Sequence, residues 1–290
     1  MFWMSTMKST KAIRIFNDAT AIITGGASGI GCALAEELAG RGCEVVLADL
    51  QIEKAQAVAE SIQSSGGKAK ALKVDVADFP AMERLVLGTL ESSGRLDYIF
   101  NNAGIAIACT ADHYTISDWN KIIDINLRGV VNGIQASYKI MIEQGFGHIV
   151  NTASMAGLMT NPLGVAYAAT KHAVVGLSKS LRAEAARMGI RVSVLCPGVI
   201  RTPILQGGKY GKILMDIPDE KLRAMWEEFK PMSPDIFARK AVDAIAKNKA
   251  IIIEPGQWKL VWWLDRLSPS LVRVIAQNKF KKIMKELNLL

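Results

Sequence analysis

Thr20-Ala21-Ile22-Ile23-Thr24-Gly25-Gly26-Ala27-Ser28-Gly29-Ile30-Gly31 opens with a short apolar, β-branched run that lacks polar alternation. Such a run suits a strand covered on both faces. A turn follows with glycines in the spacing G-x-x-x-G-x-G (Gly25, Gly29, Gly31), and a helical period begins at once. Glycines let a backbone approach a pyrophosphate, and a helix N-terminus offers free N–H groups and the positive end of its dipole. A lone glycine pattern reads as a tight turn. Between a strand and a helix it reads as a phosphate cradle.

Outward from this stretch the same rhythm repeats. Strand-like runs lie at 20–24, 44–48, 69–74, 98–100, 148–152, 191–195 and 250–253, with helical spacing at 31–39, 53–64, 81–92, 117–143, 165–187 and 234–247. Strand alternating with helix predicts an α/β chain: one doubly wound parallel sheet of about seven strands, right-handed crossovers and helices on both faces. The expected organisation is an N-terminal extension over 1–17, a dinucleotide-binding domain over 18–256 with a lid insertion at about 203–233, and a basic amphipathic tail over 257–290.

Composition narrows the field. Half of the 290 residues are apolar and 21% are charged, which fits a globular chain with a sizeable core and not a disordered one. No apolar run approaches the ~20 residues that span a bilayer, and Met1-Phe2-Trp3-Met4 is too short for a signal h-region. Cys32, Cys43, Cys109 and Cys196 form no C-x-x-C pair, and His113, His148 and His172 lack ligand spacing. Reduced thiols, a cytoplasmic location and no metal site are therefore expected. The net charge of +8 suits acidic partners, a membrane surface or simple solubility. No nucleic-acid reader motif accompanies it, so nucleic acid is not an expected partner.

The second run ends in Ala48-Asp49-Leu50, about twenty residues past the glycines. An acidic side chain there can accept hydrogen bonds from both ribose hydroxyls of an adenosine and repel a 2′-phosphate, which favours NAD over NADP. Tyr167 and Lys171 stand at i and i+4, on one face of a predicted helix. A nearby ammonium lowers a phenol's pKa toward the working pH, where acid–base catalysis is effective. Ser154, at the end of a strand, can hold a substrate oxygen toward Tyr167. Taken singly, each has a plain structural reading: a surface pair, a cap.

Together the motifs resemble the classical short-chain dehydrogenase/reductase family. The turn at 24–31 is similar to its T-G-x-x-x-G-x-G signature, Asn101-Asn102-Ala103-Gly104 to its N-N-A-G motif, and Tyr167-Ala168-Ala169-Thr170-Lys171 to its Y-x-x-x-K motif. Ser154, Asn126 and Pro197-Gly198-Val199-Ile200-Arg201-Thr202 match further family positions, and the likeness covers about residues 18–255. The resemblance implies a Rossmann-type single catalytic domain, hydride transfer between NAD(H) and a secondary alcohol or ketone, and a homo-oligomer (dimer or tetramer). It implies Tyr167 as acid/base, Lys171 as pKa tuner and ribose ligand, Ser154 as carbonyl positioner, and Asn126 as support for a proton-relaying water. Cofactor contacts carried over are Gly25, Ser28, Gly29, Ile30, Gly31, Asp49, Leu50, Asp75, Val76, Asn102, Ala103, Gly104, Tyr167, Lys171, Pro197, Gly198, Ile200 and Thr202. For Asp75 a helix N-cap is the competing reading. A nucleotide-binding protein with a membrane or partner role is the alternative function.

Two segments break the rhythm. The stretch 202–233 holds three prolines and a Gly207-Gly208…Gly211 cluster, and reads as an irregular lid. Its apolar residues, Met215 among them, together with Met155, Leu158 and Met159, suggest a lipophilic substrate, steroid-like, retinoid-like or fatty. In the tail, Val272, Ala276, Phe280, Ile283, Met284 and Leu287 recur at helical spacing with Lys281, Lys282 and Lys285 opposite. Such a stripe either packs on its own domain or a symmetric partner, or lies on an anionic membrane.

Overall fold

The computed structural model describes residues 12–207, 210–214 and 217–286. Met1-Phe2-Trp3-Met4, Gly208, Met215 and Leu287 lie outside the described residues.

Each predicted strand forms. β1 (Thr20–Thr24), β2 (Glu44–Asp49), β3 (Lys68–Lys73), β4 (Tyr98–Asn101), β6 (Gly147–Thr152), β7 (Ile190–Pro197) and β9 (Ile251–Glu254) build one parallel sheet in the order β3-β2-β1-β4-β6-β7-β9. A separate parallel pair joins β5 (Ala106–Ala108) to β8 (Gly211–Ile213). In the large sheet the winding reverses between β1 and β4, which opens a crevice at the carboxyl ends of those strands. β1 and β6 are buried throughout. β3 is an edge strand, and its Lys-Ala-Lys-Ala-Leu-Lys alternation leaves lysines at the rim, which discourages pairing with another chain.

Neighbouring strand residues point to opposite faces and so feed two cores. On one face Ile23 and Leu47 pack with α1 (Gly29–Gly40), α2 (Ile52–Ser64) and α8 (Pro234–Ala246). On the other, Ile22 and Val46 pack with α3 (Phe79–Ser93), α5 (Gly129–Gln144) and α6 (Val165–Ala185). The helix expected over 117–143 is interrupted: α4 (Ile116–Ile123) runs into a π-helical segment, Asp124–Arg128, before α5. Such bulges favour functional positions, and Asn126 lies in this one.

The insertion is more ordered than its composition suggests. It carries a 3₁₀ turn (Pro203–Gln206), β8 and α7 (Asp219–Glu227). β8 binds it to β5, Lys212 Nζ reaches Asp118 Oδ1 at 2.9 Å, and Arg201 pairs with Glu227. The tail folds as α9 (Trp258–Leu267) and α10 (Pro269–Glu286). Its predicted stripe turns inward: Val272 and Met284 are buried, and Ala276, Phe280 and Ile283 half-buried. Lys279 Nζ lies 3.5 Å from the ring centre of Phe229, which stacks on Trp258.

Candidate active site

At the carboxyl end of β1 the glycine turn is shaped by close approach. Gly25 and Gly29 have φ of +68° and +56°, a region most side chains avoid. A Cβ on Gly31 would overlap the Gly25 carbonyl oxygen, and one on Gly25 would come within 2.9 Å of Ala103 Cα. Thr24 Oγ1 accepts from the N–H groups of Asn102 (2.9 Å) and Ala103 (3.1 Å) and donates to Phe100 O, so the ends of β1 and β4 are fastened together. Asn102 Nδ2 donates to Thr24 O at 3.1 Å. Ser28, the N-cap of α1, places no side-chain bond on the helix N-terminus, which leaves the first-turn N–H groups, beginning at Gly29 and Ile30, for an anion. This cradle, with no Cβ to fill it, fits a dinucleotide's pyrophosphate.

The other predicted contacts gather around it. Asp49 accepts from Ala27 N at 3.1 Å and Gln51 N at 2.9 Å, so both carboxylate oxygens are fixed beside the turn, with Leu50 exposed next to it. Thr202 lies against the glycine turn: a Cβ on Gly29 would stand 3.1 Å from Thr202 Cγ2. Ile200 is buried, and its carbonyl accepts from Thr202 Oγ1 at 3.3 Å. Gly198, after Pro197, backs onto Trp258, whose indole a Cβ there would strike. Asp75 is exposed and closes a local turn to Ala77 N at 2.9 Å; the N-cap of α3 is Asp78 instead. Val76 is buried against Gly129, and its carbonyl accepts from Asn132 Nδ2 at 2.8 Å.

α6 and the end of β6 bring Tyr167, Lys171 and Ser154 together. Lys171 is buried; its Nζ donates to Thr152 O at 2.9 Å and stands 5.5 Å from the Tyr167 ring centre. Burial lowers this ammonium to about 8. Burial also pushes the Tyr167 phenol above its ordinary value, while a hydrogen bond with the Ser154 hydroxyl pulls the other way. The ammonium was expected to dominate the phenol, but here desolvation leads. Ser154 Oγ accepts from Ala156 N at 3.1 Å and caps the 3₁₀ turn Met155–Gly157.

Asn126 is fully buried and grips Ile105 by both backbone groups: Oδ1 accepts from its N–H and Nδ2 donates to its carbonyl, each at 2.8 Å. That clamp fixes the segment after β4. Gly104 lies between the two polar groups, since a Cβ there would be 3.3 Å from Asn126 Oδ1 and 3.4 Å from Lys171 Nζ.

Sequence reading missed Thr152. Its carbonyl holds Lys171, and its hydroxyl donates to Asn102 Oδ1 at 3.2 Å, tying the ammonium to the nucleotide wall. The signal was available, because Thr152 stands two residues before Ser154 and shares its side of the chain. Cys196, the other neighbour, is pushed up to about 12 by burial and is a neutral thiol. Tyr167 packs among Ile105, Ile107, Ile122, Ile123 and Leu214, an apolar wall supplied partly by the lid. Met155, expected in such a wall, is buried in the core instead, with Leu158 and Met159 packed against it.

The chain matches the family model described as short chain dehydrogenase over residues 19–210. It is 37% identical over 222 residues to levodione reductase of Leifsonia aquatica, covering 76% of this chain and 81% of that protein. With cyclohexanol dehydrogenase of Acinetobacter sp. (strain SE19) it shares 39% identity over 191 residues, 66% of this chain and 76% of the relative. Among solved structures, a short chain dehydrogenase/reductase from Burkholderia phymatum in complex with NAD superposes with a TM-score of 0.79 at 27% identity, covering 89% of this chain and 96% of that one.

Proposed function

Since the chain belongs to the short-chain dehydrogenase family of oxidoreductases, we propose that it transfers a hydride between NAD(H) and the carbinol carbon of an apolar secondary alcohol or its ketone, with Tyr167 as the acid/base. The observation that carries this reading is the cluster at the end of β6. A desolvated Lys171 stands 5.5 Å from the Tyr167 ring, and the Ser154 hydroxyl is near enough to the phenol to offset part of the effect of its burial.

A bound nicotinamide dinucleotide supplies the hydride acceptor or donor. Ser154 Oγ holds the substrate oxygen, and Tyr167 Oη takes the hydroxyl proton in oxidation or returns it in reduction. Lys171 spends one of its three N–H bonds on Thr152 O, which leaves two for ribose hydroxyls. Its positive charge at the site favours the phenolate that accepts the hydroxyl proton in oxidation, and steadies the alkoxide that this transfer leaves. Asn126, through Ile105, sets the wall against which Lys171 stands, and acts by position. The side chains clustered with Tyr167, Ile105, Ile107 and Leu214 among them, are apolar and offer a substrate few polar partners, which supports an apolar ring or chain. Cyclohexanol, named in one relative, is a hydrocarbon ring with a single hydroxyl.

The choice of NAD rests on Asp49. Its carboxylate is held at the end of β2 by Ala27 and Gln51, where a 2′-phosphate would meet an acidic group.

The test is reduced-nicotinamide absorbance across secondary alcohols from cyclohexanol to steroid size, with NAD and with NADP, alongside Tyr167→Phe. Turnover that falls by roughly 10²–10⁴-fold in the variant, with cofactor binding kept, is the expected result. Unchanged turnover in Tyr167→Phe would remove it from the chemistry, and a preference for short polar alcohols would overturn the substrate class.

A further inference from the structure

We infer that the outer face of the α9–α10 hairpin is a docking surface for an anionic lipid bilayer, on which the hairpin lies without crossing. The inference stands on this face alone and does not depend on the reaction proposed above.

The inner faces of both helices are already used: Trp258 and Trp262 pack against the core, and Val272 and Met284 are buried. A second apolar face remains on the outside. Leu260, Trp263, Leu264 and Leu267 follow at helical spacing along α9, and Leu271, Val274 and Ile275 continue it on α10. Leu260 and Leu267 are 75% and 80% exposed and Trp263 is 54% exposed. Seven of the seventeen exposed large apolar side chains among the described residues fall within these sixteen positions. Scattered exposed apolar residues need no explanation, whereas a contiguous patch does.

Charge identifies the occupant. Seven lysines and arginines against two acidic residues lie between 257 and 290, so five of the chain's eight net positive charges are there. They share a face with the patch: Leu271, Val274, Asn278, Lys281 and Lys285 succeed one another at spacings of three and four. The outer side of α10 is thus apolar near the Ser268–Pro269 turn and basic beyond it. A bilayer with acidic headgroups satisfies both halves, the turn entering the acyl boundary and the lysines meeting phosphates. A second copy of this chain set symmetrically on the face would bring two strongly positive tails together, which costs energy. No helix among the described residues is long and apolar enough to cross a membrane. The hairpin follows β9, at the end of the sheet where Tyr167 and the lid lie.

The experiment is flotation of the full chain with vesicles of phosphatidylcholine alone and of phosphatidylcholine with an equal part of phosphatidylserine, with light scattering on the same samples without lipid. Wild type is expected to float with the acidic vesicles only. Lys281→Gln with Lys285→Gln should weaken partition about thirtyfold. Leu267→Asp with Leu271→Asp should abolish it while the circular dichroism melt stays in place, because both side chains are exposed. Failure of wild type to float overturns the inference. So does equal flotation with both vesicles, or a lipid-free dimer that the leucine variant dissociates. Turnover of a water-soluble alcohol, followed in all variants, reports the reaction separately.

Discussion

The nucleotide half of the molecule and its lid-and-tail half are held together with a different balance of backbone and side-chain contacts. Around β1, β2 and β4 the constraint is backbone meeting close by: Gly31 has no room for a methyl beside Gly25 O, and Thr24 Oγ1 bonds three backbone groups between Phe100 and Ala103. Across 203–233 and 257–286 backbone bonds to the rest of the chain are few, the short β5–β8 ladder and the Val199–Met232 link, and side chains add the rest: an ion pair at Lys212–Asp118, another at Arg201–Glu227, and a lysine over Phe229. Backbone-fixed structure tolerates little change and serves a cofactor of fixed shape. Side-chain latches can be exchanged, which suits the part that meets a variable substrate or surface.

Four substitutions sharpen or break that contrast, beginning with the largest effect. Gly31→Ala should abolish dinucleotide binding, since its methyl must displace the Gly25 carbonyl; isothermal titration with NAD would show it, and retained affinity would mean the turn is plastic. Next comes His148, buried in β6 with Nε2 2.8 Å from Ser193 Oγ. Burial, assisted by Arg191 and Arg182, lowers it to about 3 from 6.5. A folded pKa below the unfolded one gives stability that is present above about 6.5 and lost as pH falls toward 3. Between about pH 7 and pH 4.5 this group alone should cost roughly 2–3 kcal/mol. His148→Gln should flatten that part of the urea-midpoint profile, and an unchanged slope would assign acid sensitivity elsewhere.

Asp49→Asn should narrow the discrimination against NADP about tenfold in kcat/KM by removing the charge while leaving an oxygen for Ala27 or Gln51. Lys212→Met is the mildest. Losing the bond to Asp118 loosens the lid but not the chemistry, so KM should rise two- to threefold, about 0.5 kcal/mol, with kcat kept. A fall in kcat with KM unchanged would place Lys212 in the chemical step.

The same contrast governs what could be read from the sequence. The central strands were legible because runs such as Ile22-Ile23 and Val45-Val46-Leu47 are short, β-branched and apolar at every position, and the edge strand β3 was legible from its place between two helical stretches. The candidate site was legible as a grouping, because a parallel sheet gathers 24–31, 101–104, 154 and 167–171 at one end. β5 and β8 were not: three residues each, Ala-Ile-Ala and Gly-Lys-Ile, carry no period of their own and exist through each other. The π segment at 124–128 was hidden because one extra residue in a turn leaves the apolar spacing nearly intact. In the tail the period was correct but its surroundings were not readable. The stripe at 272–284 meets the chain's own body, and the face that remains open lies on the other side.

The pairing of β5 with β8 carries a consequence for the order in which the molecule assembles. Ala106 and Gly211 are partners although more than a hundred residues separate them, and the pair is only three residues long. Closing so long a loop for so few bonds gains little until the large sheet has brought both ends close. The lid strand is then the last piece to join during folding. Run in reverse, it is the first to part in the native state, so amide exchange at Lys212 and Ile213 should outpace that of every strand in the main sheet.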